Sequence, residues 1–446
     1  MRDLTQGPIP GHLLHMAVPI AVGMLGQTLY FLVDLYFVAQ LGDAAIAGVG
    51  AAGIAMFIVM AMTQMLGVGA VALVSHAVGR KDQADANLVF NQSLTLAVTC
   101  AVITLIGGYL LTPGYMRSLG ADAATIEAGI TYLNWFLPGL VLQYVVIVMI
   151  SGLRGTGIVQ PTMIVQMASV LLNVILAPIL IAGWGTGRPM GVAGAALAST
   201  ISVAAGILLL AWYFQRLEKD VHFDAGLWRP RLAVWGRMIN IGLPAGGEFA
   251  LLFLYVAVIY WVIRDFGAAA QAGFSVGSRM MQAIFLPAMA IAFATAPIAG
   301  QNYGATQHGR VRETFRSAAI MSSVLMFALT LACQWHPGWF IAGFTSDAEV
   351  ITVGSRFLQI ISWNFVAQGL IFTCTGIFQG LGNTWPALAS SASRILTFVL
   401  PVAWLASLPG LELDHIWFLS VASVSIQMVL SLVLLHRVMR ERLAGA

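Results

Sequence analysis

The chain has 446 residues, of which 59% are apolar and only 9% are Asp, Glu, Lys or Arg. A soluble domain carries roughly 25% charged residues, because a surface in water needs charge. This composition excludes a soluble enzyme. A net charge of +3 without a Lys/Arg cluster excludes a nucleic-acid-binding surface. Three widely separated cysteines without C-x-x-C spacing predict neither disulfides nor a metal site.

A helix needs about 20 mostly apolar residues to cross the roughly 30 Å hydrocarbon core of a bilayer. Twelve segments of the sequence meet this requirement, which predicts an all-α polytopic membrane protein. The six in the first half lie near 12–40, 46–77, 88–112, 127–153, 160–183 and 191–215. The six in the second half lie near 236–264, 269–301, 314–334, 351–379, 385–408 and 414–436.

The distribution of Lys and Arg between the loops predicts the orientation, because positive residues favour the cytoplasmic side of a membrane. If both termini are cytoplasmic, 15 of these residues fall in inside segments and only 3 in outside loops. The sequence therefore predicts a multi-pass protein of the inner (plasma) membrane with both termini in the cytoplasm.

The two halves of the chain resemble each other. When the chain is aligned with itself so that Pro19 falls on Pro244, this one constant offset also pairs Gly42 with Gly267, Ala47-Gly48 with Ala272-Gly273, Gly79 with Gly304, Gln143 with Gln368, Gly155 with Gly380, Gly157 with Gly382, and Pro161 with Pro386. We call it the repeat offset. Glycine and proline dominate because they fix backbone geometry that both copies of a duplicated bundle must keep. The repeat predicts an N-terminal six-helix bundle (1–215), a cytoplasmic linker (216–235) and a C-terminal six-helix bundle (236–446).

An even number of spans in each half means that both halves enter the membrane in the same direction. Such copies are expected to be related by a pseudo-two-fold axis along the membrane normal. Two bundles with this relationship are typical of transporters that work by alternating access, in which one bundle rocks against the other.

Two acidic residues, Asp34 and Glu248, are predicted to lie well inside the bilayer, whereas the other acids fall at termini, loops or helix ends. A carboxylate at membrane depth costs at least about 2.5 kcal/mol and usually marks the path of an ion or substrate. The alternative is a structural role, with Glu248 paired to Arg279 or Arg394. We expect both acids to couple transport to an ion.

Uncharged polar residues within the spans are further candidates for the site. Most such residues join neighbouring helices through hydrogen bonds of modest strength. Those that we assign to a site are Gln27, Asn364 and Gln368, with Glu248, for substrate binding, and Asn173 and Thr200 for ion coupling. Pro19, which precedes Asp34 in the same span, is the predicted hinge, because proline removes a helical hydrogen bond.

Several short motifs together resemble the multidrug and toxic compound extrusion (MATE) transporters over essentially the whole length. They are Pro19 and the Asp34 dipeptide VD followed by LGDAAIAGVG, SHAVGRKD after span 2, RGTGIVQPT after span 4, GVAGAALAST at the start of span 6, and GQNYGA at 300–305. The resemblance implies export of mostly cationic amphipathic compounds against inward H⁺ or Na⁺ through a pair of six-helix bundles.

The resemblance also implies roles for individual residues. In one branch of the family a span 1 Asp above a bendable proline binds the proton or cation, and Asp34 and Pro19 match it, with Na⁺ as an alternative ligand of Asp34. That branch often carries N-x-x-L-D in span 5, where this chain keeps Asn173 but has Ala177 in place of the acid. Another branch uses a span 7 Glu, which Glu248 matches approximately, and a span 10 Asp, which is absent here.

The sequence therefore predicts a cation-coupled multidrug efflux antiporter that acts as a monomer on small organic cations within the lipid bilayer. No catalytic cluster or nucleotide-binding motif is present, so we expect neither an enzyme nor a cofactor other than the coupling ion. Two alternatives remain open. One is a lipid-linked oligosaccharide flippase of the same superfamily, and the other is a major-facilitator-type transporter.

Overall fold

The structure is a computed structural model that describes residues 3–119, 122–218 and 220–443. A set of side chains between residues 31 and 119 also lies outside the description. They are those of Phe31, Asp34, Leu35, Asp43, Ala44, Ile46, Ala47, Ala51, Ala52, Ile54, Ala55 and Leu119.

The prediction of an all-α protein with twelve membrane spans is confirmed, since twelve helical segments of the described residues are long and apolar enough to cross a bilayer. The helices of the first half are α1 (Ile9–Ala39), α2 (Asp43–Gly79), α3 (Gln83–Leu119), α4 (Ala123–Gly155), α5 (Gln160–Ile181) and α6 (Val192–Arg216). Those of the second half are α7 (Leu232–Ile263), α8 (Ala268–Gly304), α9 (His308–Trp335), α10 (Pro337–Ala342), α11 (Ala348–Ile361), α12 (Phe365–Gly380), α13 (Trp385–Arg394), α14 (Leu400–Leu405) and α15 (Leu413–Arg442).

Two of the predicted spans are interrupted helices. In span 10 a 3₁₀ turn, Ser362–Asn364, separates α11 from α12, and Thr330 of α9 donates a hydrogen bond to the carbonyl of Ser362 at this break. In span 11 a π-helical segment, Ile395–Val399, separates α13 from α14. Pro401 follows this segment and has no N–H to donate to the carbonyl four residues earlier, so the helix widens there.

The internal repeat reappears in the backbone of the two halves. The N-caps of α2 and α8, Gly42 and Gly267, have φ values of 105° and 92°, which a residue with a Cβ rarely adopts. Lys81 and Thr306, which the repeat offset also pairs, are the non-glycine residues with positive φ within the described chain, at 60° and 57°. Lys81 and Thr306 are different residue types with the same unfavourable backbone conformation, so they support the duplication independently of residue identity.

The repeat also extends to the contacts between helices. A Cβ atom at Gly48 would lie 2.8 Å from the backbone nitrogen of Gly129, and one at Gly273 would lie 3.0 Å from the nitrogen of Gly354. The two pairs are equivalent under the repeat offset. Each half therefore has the same close approach between its second and fourth spans, which requires a glycine at that point.

The chain divides into two compact units, and their boundaries differ from the predicted 1–215 and 236–446. The N-terminal unit is built from Pro19–Gly246, and the C-terminal unit from Leu4–Val18 and the residues from Gly247 onward. The start of α1 thus packs within the C-terminal unit, and the linker and the start of α7 pack within the N-terminal unit. The predicted boundaries concern the two bundles that move against each other during transport, and they stay a prediction.

Two buried amides of α3 hold the linker on the N-terminal unit. Asn91 bonds to the carbonyl of His222 at 2.9 Å, to the amide N–H of Asp224 at 3.0 Å and to the indole N–H of Trp228 at 3.0 Å. Gln92 donates to the carbonyls of Leu227 and Arg229 and accepts from the N–H of Arg231. We call this set of contacts the linker clasp.

A second set of polar contacts holds the segment before α1 on the C-terminal unit. Gln301 accepts a hydrogen bond from the N–H of Leu4, and Asn302 donates to its carbonyl. Arg310 donates to Asn302 and to the carbonyls of Leu4 and Gly7. Leu4 is the repeat equivalent of Arg229, so the segments before α1 and α7 are held at equivalent positions.

Candidate functional site

Glu248 lies in α7, one helical turn after Pro244, and is partly buried within the C-terminal unit. Its Oε1 atom accepts a hydrogen bond of 3.1 Å from the hydroxyl of Ser391 on α13. Gln427 of α15 donates a hydrogen bond of 3.2 Å to the same hydroxyl oxygen. Because the Ser391 oxygen accepts from Gln427, its proton is directed at Glu248, and the three residues form one oriented chain.

Ser391 and Gln427 are not among the site residues predicted from the sequence. Ser391 lies in the polar run SSASR within an otherwise apolar span, and this run was a signal that could have identified it. Gln427 is 4% exposed and gives no comparable signal, because a single amide in a span is usually a helix-to-helix contact.

Neither arginine considered as a partner of Glu248 forms a salt bridge with it within the part of the chain that the structure describes. The guanidinium of Arg394 instead lies over the rings of Tyr255, at 4.7 Å, and Phe398, at 5.6 Å. Arg279 is exposed. The geometry of the described residues therefore does not support the interpretation of Glu248 as half of a structural ion pair.

Asn173 lies in α5 of the N-terminal unit and is completely buried. Neither its amide nitrogen nor its amide oxygen has a hydrogen-bond partner among the described residues. Burying an amide without a hydrogen-bond partner costs free energy, and a ligand that bonded to it would recover that cost. The amide of Asn173 can provide both a donor and an acceptor for such a ligand.

Thr200, in contrast, has protein partners. Pro138 in α4 cannot donate to the carbonyl of Asn134, and the hydroxyl of Tyr109 from α3 donates to that carbonyl instead. On the other side, the hydroxyl of Thr200 from α6 lies within hydrogen-bond distance of the carbonyl of Trp135, at 3.2 Å, and of its own helix. Thr200 thus bonds α6 to α4 close to Pro138.

An open groove with a volume of about 390 Å³ lies beside Pro138, and Thr200 forms part of its wall. Its lining residues come from α3, α4 and α6 of the N-terminal unit: Tyr109, Asn134, Trp135, Pro138, Leu197 and Thr200.

The other predicted residues are distributed over both units. Pro19 is buried within α1 and Gln27 is exposed on the same helix, while the Asp34 side chain lies outside the described residues. In the C-terminal unit Asn364 is buried at the break in span 10, and its Oδ1 lacks a partner in the described chain. Gln368 is partly buried one turn later.

No hydrogen bond between described residues joins Glu248 to Asn364 or Gln368, and none joins Asn173 to Thr200. The predicted sets of substrate-binding and ion-coupling residues therefore stay predictions. The described residues also contain no group of three or more His, Cys, Asp or Glu residues that could hold a metal ion.

Relatives and solved structures resemble the chain over nearly its whole length. The multidrug export protein MepA of Staphylococcus aureus (strain MSSA476) is 25% identical over 85% of this chain and 83% of its own length. The probable multidrug resistance protein YoeA of Bacillus subtilis (strain 168) is 23% identical over 93% of this chain and 90% of its own.

Two solved structures share the fold. One, an outward-facing multidrug resistance MATE family transporter of the MOP superfamily, has a TM-score of 0.92 with 22% identity over 98% of both chains. The other is a MOP superfamily transporter from Pyrococcus furiosus that is described as having a binding pocket of reverse polarity. It has a TM-score of 0.91 with 22% identity, covering 100% of this chain and 98% of its own.

The MatE family model matches residues 19–179 and 244–405, once in each half of the chain. The two matches begin at Pro19 and Pro244, which the repeat already pairs. The protein therefore belongs to the MatE family and is a multi-pass MATE transporter.

Proposed function

We propose that this protein is a multidrug efflux antiporter that exports organic, mostly cationic amphipathic compounds in exchange for H⁺ or Na⁺ by alternating access. The observation that carries the proposal is Glu248, an acid within a membrane span that hydrogen-bonds to Ser391 and has no basic partner among the described residues. The names of the relatives MepA and YoeA support drug export as the outcome.

The environment of Glu248 suits exchange between two cationic ligands. A carboxylate without a salt bridge in a span is costly until a proton, Na⁺ or an organic cation neutralises it. Only one cation can neutralise the carboxylate of Glu248 at a time, so the coupling ion and the drug compete for it. Competition at one acid, with a conformational change between the two bound states, is sufficient for antiport.

The N-terminal unit provides a second set of groups. We propose that Asp34, with Asn173, binds the coupling ion, and that Pro19 provides the bend in α1 that follows neutralisation. The buried and unpartnered amide of Asn173 supports this assignment. The groove beside Thr200 supports a role for this unit in holding the apolar part of a substrate.

The same proposal covers the setting of the protein. We place it in the inner (plasma) membrane as a monomer with both termini in the cytoplasm, on the basis of the Lys/Arg distribution. Transport then needs no cofactor besides the coupling ion, and its driving force is an ion gradient.

Glu248→Gln tests the acid in the C-terminal unit directly. The amide keeps the shape of the side chain but cannot exchange a cation, so efflux of ethidium from cells should fall at least about tenfold. The matched control is Asp265→Asn, which removes an exposed acid just beyond the end of α7 and should leave efflux unchanged. Full efflux by Glu248→Gln at normal membrane expression would refute the role of Glu248.

Asp34→Asn tests the proposed ion site of the N-terminal unit. Resistance to ethidium-like dyes should be abolished while expression in the membrane stays intact, because the amide cannot load or release the coupling ion. Growth in ethidium and the protein level in membranes are the two measurements. Retained resistance would show that Asp34 is not required for coupling.

A further inference from the structure

The residues at the Glu248 site have repeat equivalents in the N-terminal unit. Under the repeat offset, Glu248 of α7 corresponds to Gly23 of α1, and Ser391 of α13 corresponds to Gln166 of α5. A long acid opposite a small serine in one unit is thus replaced by a glycine opposite a long amide in the other.

The structure shows that the equivalent contact exists. A Cβ atom added to Gly23 would clash with Oε1 of Gln166, so the amide of Gln166 lies directly against α1 at this glycine. Both residues belong to the N-terminal unit. In each unit, therefore, one long polar side chain fills the space between the same two helices, one turn after the paired proline (Pro19 or Pro244).

Gln166 differs from Glu248 in what surrounds it. The residue equivalent to Gln427 is Ser202, whose hydroxyl donates to the carbonyl of Ala198 in its own helix. Gln166 itself is only partly buried and forms no hydrogen bond within residues 3–119, 122–218 and 220–443. Its amide therefore keeps a donor and an acceptor available at a position where the hydrocarbon of the membrane offers neither.

We propose that Gln166 is the N-terminal unit's counterpart of Glu248, a neutral polar group that contacts the transported compound. The inference rests on the proposed export of organic cations and adds a specificity-determining residue to it. An amide bonds to uncharged polar groups of a ligand, whereas the acid in the other unit attracts its positive charge. A pair of unlike groups at equivalent positions suits amphipathic compounds that carry one charge.

Binding of ethidium to the purified full-length protein, followed by fluorescence, tests the proposal without requiring transport. Gln166→Leu removes the hydrogen-bonding groups at similar volume and should weaken binding about three- to tenfold. Gln166→Glu adds an acid at the same place and should strengthen binding of this cation by a similar factor. The controls are Gln160→Leu and Gln160→Glu at the exposed start of the same helix, which should change nothing.

The opposite signs of the two changes distinguish contact from packing. If Gln166 only fills space against Gly23, both substitutions weaken binding or neither affects it, and either result overturns the proposal. The Gln166 variants keep Glu248, so they test Gln166 separately. If Glu248→Gln binds ethidium as well as the wild-type protein does, the result counts against the role of Glu248 and not against that of Gln166. Absence of ethidium binding by the wild-type protein would instead overturn the proposed export of organic cations, and this inference with it.

Discussion

Single side chains in this protein have orientations that follow from their hydrogen-bond partners. Ser391 can direct its proton at Glu248 because Gln427 donates to the same oxygen. We therefore expect Ser391 to act through Glu248 as a positioning residue, because it bonds to one carboxylate oxygen while the other has no hydrogen-bond partner among the described residues.

Ser391→Ala should weaken transport without unfolding the protein. The hydrogen bond from a hydroxyl to a carboxylate is worth about 1.5 kcal/mol or more, so the apparent KM for ethidium should rise about tenfold. Ser391→Thr keeps the hydroxyl and should restore the wild-type KM. If the alanine and threonine variants behave alike in an efflux assay, Ser391 has no positioning role.

Residues of the site differ in how far they can be predicted from sequence. Glu248 stands out because charge is so scarce in the spans, where an acid has a high cost. Ser391 is indicated only by the polar run SSASR around it, and Gln427 by no pattern at all, because single polar residues in a span are common and their partners depend on helix packing. The role of Thr200 shows the same limit, since its contact with the Trp135 carbonyl depends on how α6 packs against α4.

At the scale of helices, polar side chains compensate for interrupted hydrogen bonding. The hydroxyls of Tyr109 and Thr200 donate hydrogen bonds to carbonyls beside Pro138, and that of Thr330 donates to a carbonyl at the break in span 10. The linker clasp likewise provides hydrogen bonds to backbone groups of an irregular segment, which would otherwise have to bond to water. The sequence predicts the linker from its polarity, but the pairing with Asn91 and Gln92 comes only from the fold.

Gln92→Leu should release the linker from the N-terminal unit. The substitution removes three hydrogen bonds and places an apolar side chain beside backbone groups, which should cost about 1–3 kcal/mol of stability. The measurements are thermal unfolding in detergent and the rate of trypsin cleavage after Arg231, which should rise. Gln160→Leu is the control, and an equal cleavage rate in both variants would show that Gln92 does not hold the linker.

At the scale of the whole molecule, the sequence predicts the number of spans and the family correctly. Apolar segments predict the twelve spans and the short motifs indicate the family, while the residues that the repeat offset pairs recur in the matching backbone at Gly42 and Gly267 and at the start of both family matches. The membership of Leu4–Val18 in the C-terminal unit could not be predicted. Hydrophobicity identifies a span, but it contains no information about the helices against which that span packs.

The central claim is that an inward ion gradient drives export of organic cations. The most direct test is ethidium transport by purified protein in lipid vesicles, with pH and Na⁺ gradients imposed separately. We expect at least one of the two gradients to drive transport by the wild-type protein, and neither to do so with Glu248→Gln. Wild-type transport that is insensitive to both gradients would contradict antiport.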